Sequence, residues 1–152
     1  MNKVFSILFF ILIISIGLFQ YIRNSEQSIN YERFNLVSPG ILRTPDDRFE
    51  DLKDYPFTPN YLTIGDTRIH YIDEGPKDGQ IIYLLHGEPT WSYLFRKMIP
   101  TLVNEGFRVI APDMVGFGKS DKYISTDDYS HQMHVEKMTQ LIVELDLKNI
   151  TA

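Results

Sequence analysis

Three groups of residues in this chain have types and spacing suited to chemistry. The first is His86-Gly87-Glu88-Pro89-Thr90-Trp91, where an apolar run stops at a small residue followed by a proline. A loop leaving a strand end can aim a backbone N–H at an anion, and such donors stabilise charge that develops during displacement or acyl transfer. The second is Asp113, directly after an apolar run and followed by Gly116-Phe117-Gly118-Lys119-Ser120-Asp121. The third is His131 and His134, three apart, which could share a metal, but no third ligand at matching spacing accompanies them, so they read as solvated helix residues. His86 invites assignment as a general base because histidine titrates near neutral pH. His70 alternates with Ile69 and Tyr71 in a strand pattern and reads as a surface or edge residue.

Two nucleotide-binding patterns fail on inspection. Gly118-Lys119-Ser120 matches the end of a phosphate-binding loop, but that motif needs a glycine five residues before Gly118, and position 113 is Asp. Gly116-Phe117-Gly118 lacks the third glycine of a dinucleotide fingerprint and reads as a turn.

The elements that must position these residues are legible in the hydrophobic pattern. Ile81-Ile82-Tyr83-Leu84-Leu85 is an unbroken apolar run led by β-branched residues, the pattern of a strand buried on both faces in an α/β sheet. After the loop, Leu94, Phe95, Met98, Ile99 and Leu102 mark one face of a helix that Pro100 kinks or divides. Gly106 ends it, and Phe107 to Pro112 is the next strand. Gly65-Asp66-Thr67 predicts a turn joining Tyr61–Ile64 to Arg68–Ile72 in an antiparallel hairpin, and Pro76 to Gly79 a second turn. Ser125 to Asp128 offers caps for a helix whose face is Val135, Met138, Leu141, Ile142 and Leu145, and Ile150-Thr151-Ala152 begins another strand. A strand entered but not completed reads as truncation. In open α/β sheets, ligands bind outside the carboxyl ends of the strands, which is where the 86–91 loop falls.

Composition bounds the function. With 43% hydrophobic and 23% charged residues, the bulk is globular rather than disordered. A net charge of −5 argues against a nucleic-acid partner, and the absence of cysteine excludes thiolate metal sites and disulfides. Residues 1–24 stand apart: Val4 to Ile22 is a 19-residue, largely apolar run flanked by Lys3 and Arg23, nearly long enough for a ~30 Å hydrocarbon core. The expected organisation is therefore a single-pass membrane helix within 1–24, with membrane contact through residues 4–22. A polar, surface-hugging linker follows over 25–59, with Tyr55, Phe57 and Tyr61 packing it down, and an α/β unit over 60–152. A cleaved leader, with a secreted or periplasmic product, is the alternative, although Ser15-Ile16-Gly17 interrupts the apolar run instead of following it.

Taken together, His86 to Trp91, Ala111-Pro112-Asp113-Met114-Val115-Gly116-Phe117-Gly118-Lys119-Ser120-Asp121, and upstream Ile41 to Phe49 with Tyr55 to Leu62 closely resemble the α/β-hydrolase superfamily, and within it the haloalkane dehalogenases. The resemblance runs from about Ile41 to the end. It implies an incomplete α/β-hydrolase fold, mostly parallel with an antiparallel N-terminal edge and flanking helices. It implies that the backbone N–H of Glu88 faces the oxyanion or departing halide, that His86 shapes the loop, and that Asp113 is structural. Trp91 either lines the substrate pocket or packs behind the loop. The Glu88 carboxylate either holds water or is simply exposed, and when ionised it donates no hydrogen bond. The implied substrate is a small halogenated or related hydrophobic molecule, with no cofactor, since displacement by a carboxylate needs none. In this family the nucleophile, triad acid and triad histidine follow in chain order, which places all three beyond Ala152 and implies no turnover by these residues alone. Competing readings are an epoxide or ester hydrolase of the same fold, discriminated by the residue on the turn after the next strand, and a non-catalytic membrane-tethered interaction module, discriminated by cooperative monomeric unfolding.

Overall fold

The computed structural model describes residues 13–18, 20 and 35–152 of the chain. The chain divides after Arg33 into two parts. In the first part, residues 13–18 and 20 are helical, with Ile13, Ile14, Ile16 and Leu18 exposed. Most of the expected membrane segment at 4–22 lies outside the described residues. Among those described, no helix is long and apolar enough to cross a membrane.

The second part is built on a four-stranded mixed sheet, β3 (Asn60–Ile64), β4 (Thr67–Glu74), β5 (Ile81–Tyr83) and β6 (Arg108–Pro112), in the order β3-β4-β6-β5. The β3–β4 hairpin forms as expected, with Ile64 opposite Thr67 across Gly65-Asp66 and Gly65 at φ +63°. Only β5–β6 is a parallel ladder, extended by a bridge from Ile82 to Thr151, while β3–β4 and β4–β6 are antiparallel. The expectation of a mostly parallel sheet is therefore corrected for the described residues. The eight-residue β4 lies inside the sheet, between β3 and β6, so the antiparallel character reaches to the sheet's middle.

Helices cover both faces. On β6, Val109 and Ala111 point to one side and Ile110 to the other, as the two-residue period of a strand requires. Val109, Ala111 and Ile72 pack with Ile99 of α1 (Met98–Asn104) and with Tyr55. On the opposite face, Ile64 and Ile69 pack with Met138 and Leu141 of α2 (His131–Glu144), and Ile110 closes on Ile81, Tyr83 and Leu147.

Two predicted helices are shorter than their patterns. The region after the loop divides into a 3-10 turn, Ser92–Phe95, and α1. The break falls before Pro100, because a proline ring clashes with the carbonyl four residues back and its missing N–H is harmless only in a first turn. The apolar face rotates accordingly: Leu94 and Met98 are exposed, while Phe95, Ile99, Leu102 and Val103 pack inward. Gly106 at φ +87° ends α1, with its N–H on the Val103 carbonyl and that of Phe107 on Leu102. In α2, capped by Ser130, Val135 is exposed and Met133 takes part in the packing.

The stretch expected as a linker is partly strand. β1 (Asn35–Ser38) and β2 (Ile41–Arg43) pair across Pro39-Gly40, and β2 pairs with β7 (Lys122–Tyr123) in a small antiparallel sheet. These strands are too short to show a period. Ile41 is buried, and the Arg43 guanidinium holds both carboxylate oxygens of Asp121 at 2.8 and 2.9 Å. Tyr55 and Phe57 pack on the core as expected, whereas Tyr61 lies beside the His70 ring and under the Arg68 guanidinium.

Candidate active site

The C-terminal ends of β5 and β6 lie side by side because the two strands run parallel, and the 86–91 loop and the 113–121 loop leave from these ends. Their backbones are tied by side chains that the strands bring into range. The Met114 N–H donates to His86 Nε2 at 3.0 Å. That nitrogen therefore carries a lone pair, and the proton of the neutral ring sits on Nδ1, which faces the Gly87 carbonyl at 3.2 Å. Histidine 86 is buried, with the Phe117 ring edge-on at 5.3 Å. It is an element of the loop, as the resemblance implied.

Asp113 is fully buried. Oδ1 accepts the Ser92 N–H at 2.8 Å, and Oδ2 accepts the Lys119 N–H at 2.9 Å and His70 Nδ1 at 2.8 Å. Burial alone would push this carboxyl up. The His70 hydrogen bond and charge, followed by the two amides, outweigh burial and hold it below the ordinary carboxylate range. With no exposure and three donors on it, the carboxylate is out of reach of a substrate, so Asp113 is a structural anion.

His70 is a correction. The strand alternation is right, but both faces of the sheet are covered, so the face opposite Ile69 is interior and not surface: His70 has no exposure and is bound to Asp113. Ser92 and Ser120 were also missed. The Ser92 hydroxyl bonds Tyr55 Oη at 2.8 Å, and Ser120 Oγ accepts the His70 N–H at 2.8 Å while donating to the Asp113 carbonyl at 2.6 Å. No periodic signal marks a serine whose partners lie 50 and 37 residues away. Gly118, at φ +46°, is required by close approach, because a Cβ there would meet Asp113 Oδ2 and lie 2.8 Å from Trp91 Cε3. The end of this loop is held by Lys122, whose amine donates to the Gly118 and Ser120 carbonyls at 2.8 and 2.7 Å and is pulled down to about 8 by burial.

Trp91 stacks on Tyr93 at 5.5 Å between centroids and meets Tyr55 and Phe49, so its ring is part of the aromatic packing behind the loop. Glu88 is exposed, as are its neighbours Gly87 and Pro89, and its N–H donates to no group among the described residues. His134 lies beyond Phe117 and beside Tyr129, and is held below the ordinary imidazole value by partial burial and by the charges of His86 and His131. With Leu85, Met114, His131, Val135 and Met138 it lines an open apolar hollow of about 270 Å³. Among the described residues, no three His, Asp or Glu side chains converge as metal ligands.

Comparison with known proteins agrees with this geometry. Residues 80–152 match the alpha/beta hydrolase fold family. Over 116 residues, or 73% of the chain, the sequence is 56% identical to a haloalkane dehalogenase of Psychrobacter cryohalolentis and 55% identical to one of Mycolicibacterium paratuberculosis, in each case covering 38% of the relative. Among solved structures, the haloalkane dehalogenase DpaA of Paraglaciecola agarilytica superposes with a TM-score of 0.70 at 50% identity, over 73% of this chain and 39% of that one. The chain thus spans less than two fifths of the length of these relatives.

The Asp113 cluster makes a testable prediction. Asn at 113 would turn an NH2 toward one of the donors the carboxylate now accepts, so Asp113→Asn should cost about 3–5 kcal/mol at neutral pH. The folded carboxyl holds its proton less tightly than an unfolded aspartate at about 3.9, so its stabilisation is full above that pH and drains as pH falls below about 4. Urea midpoints between pH 6 and 3 should therefore fall less steeply with acid in Asp113→Asn, leaving the slope of Asp66 and Asp73, whose carboxyls are also held low. Parallel acid limbs would refute this role.

Proposed function

The chain belongs to the haloalkane dehalogenase family of the α/β-hydrolase superfamily, and on that basis we propose that it forms the halide-facing part of a hydrolase that cleaves carbon–halogen bonds. The observation that carries this reading is the Glu88 amide: on an exposed residue, without an acceptor among the described residues, at the rim where two parallel strands end, on a loop whose Gly87 carbonyl and His86 ring are held by hydrogen bonds. A donor fixed in this way meets negative charge without reorganising, so it stabilises a departing halide more in the transition state than in the substrate. The substrate is a small haloalkane, attacked at carbon by a carboxylate with loss of halide to give an ester that water hydrolyses.

The attacking carboxylate is not Asp113, which is fully buried and held by three donors. The nucleophile-elbow pattern, glycine two residues either side of a Ser, Cys or Asp, does not occur in these 152 residues; the one such glycine pair, Gly75 and Gly79, flanks Lys77. The polypeptide by itself is therefore proposed to bind halide without turning over. We further propose attachment to a membrane through residues 4–22, on the strength of the 19-residue apolar run between Lys3 and Arg23.

Adding sodium bromide to the 15N-labelled protein should move the Glu88 amide resonance saturably, while sodium sulfate at equal ionic strength, too large for a single donor, should not. A Glu88 resonance that ignores bromide would end the halide reading. The purified 152-residue protein incubated with a short bromoalkane should liberate no bromide above the buffer control, and sustained release would show that a nucleophile has been overlooked. In cells, the protein should remain with membranes after an alkaline carbonate wash, and deletion of residues 1–24 should release it. Complete extraction of the intact chain by the wash would refute attachment.

A further inference from the structure

The Gly87 carbonyl accepts three hydrogen bonds at once: from the Thr90 N–H at 2.9 Å, from Thr90 Oγ1 at 2.7 Å and from His86 Nδ1 at 3.2 Å. That oxygen and the Glu88 N–H belong to the same peptide unit. The unit is planar and trans, so its C=O and N–H point in opposite directions. Three donors gathered on the oxygen therefore fix where the hydrogen points, which is away from the loop's own donors. They also draw electron density toward the oxygen, and a peptide polarised from its carbonyl end is a stronger N–H donor.

From this we infer that Thr90 is a positioning residue for the Glu88 amide, its hydroxyl orienting and polarising the peptide that meets a halide; this rests on the function proposed above. Thr90 makes two of the three bonds, and its Oγ1 bond is the shortest of them. Nothing else in the loop demands a hydroxyl at this position. Thr90 is only half-buried, and its Oγ1 has no other partner among the described residues. Valine fills the same volume and keeps the backbone bond, so removing the hydroxyl leaves the loop's shape and changes the electronic state of one peptide. The Glu88 side chain takes no part, in keeping with its exposure.

The test is Thr90→Val beside Thr90→Ser in the full chain, with Thr90→Ala as the hydroxyl-free variant if valine is not accommodated. In bromide-free buffer, the Glu88 amide proton should move upfield in the valine variant while resonances elsewhere stay in place, and the serine variant should return it toward the wild-type position. In the bromide titration, loss of one hydrogen bond to the peptide should raise the dissociation constant about three- to tenfold in the valine variant, with serine restoring it. A Glu88 resonance unmoved by Thr90→Val overturns the inference, and so does a serine variant that behaves like valine. Failure of the wild-type resonance to respond to bromide is a different outcome: it removes the halide reading, while the bromide-free comparison still decides whether the Thr90 hydroxyl governs the Glu88 peptide.

Discussion

The structure around the candidate site depends on one buried anion. Asp113 sits at the end of a central strand with no exposure, and a carboxylate in that position is tolerable only if its charge is met by donors. The donors come from three separate parts of the chain: His70 from β4, the Ser92 amide from the turn after the 86–91 loop, and the Lys119 amide from the glycine loop. Each would be poorly placed without the others. The same charge that burial makes costly therefore cross-links a strand and two loops, and the depressed carboxyl pKa is the thermodynamic expression of that cross-link.

The loops inherit their precision from this arrangement. Gly118 lets the second loop pass against the carboxylate and the Trp91 ring, where any side chain would intrude. Met114, next to Asp113, then offers its N–H to His86, which fixes the proton on the far side of the ring and turns it toward Gly87. The consequence is a rim loop in which the His86 ring and the Gly87 carbonyl are fixed by hydrogen bonds while the Glu88 N–H has no acceptor among the described residues. Preorganised donors of this kind act on charge without the cost of reorienting water. Trp91, Tyr55 and Phe49 form the apolar wall behind the loop.

Much of this organisation was legible in the sequence because it rests on local rules. The turn at Gly65-Asp66 and the helix stop at Gly106 follow from backbone preferences and are present; the strand expected over Ile81–Leu85 is present over Ile81–Tyr83, with Ile82 half-buried and Leu85 exposed, and the strand expected from Ile150 is present as a single bridge at Thr151. The misreadings come from contacts that no local pattern carries. The β2 strand is three residues long and exists because Asp121 waits for Arg43 across 78 residues. Leu94 and Met98 were placed inward by a helical period that the chain abandons ahead of Pro100. His70 was placed at the surface because a polar residue facing away from Ile69 and Tyr71 normally meets water, and in this sheet it meets a second core.

By itself the sequence determined the α/β class, the strand-loop-helix order and the identity of the rim loop, because steric limits at glycine and proline and the spacing of apolar side chains act over a few residues. It also carried the family resemblance through His86 to Trp91 and Asp113 to Asp121. Only the tertiary structure decided that Asp113 is buried among three donors, that His70 is one of them and that the Gly87 carbonyl holds three donors while the Glu88 amide holds no acceptor among the described residues. Those are facts about which groups meet across the sheet, and a buried charge or a free donor is defined by its surroundings rather than by its residue type.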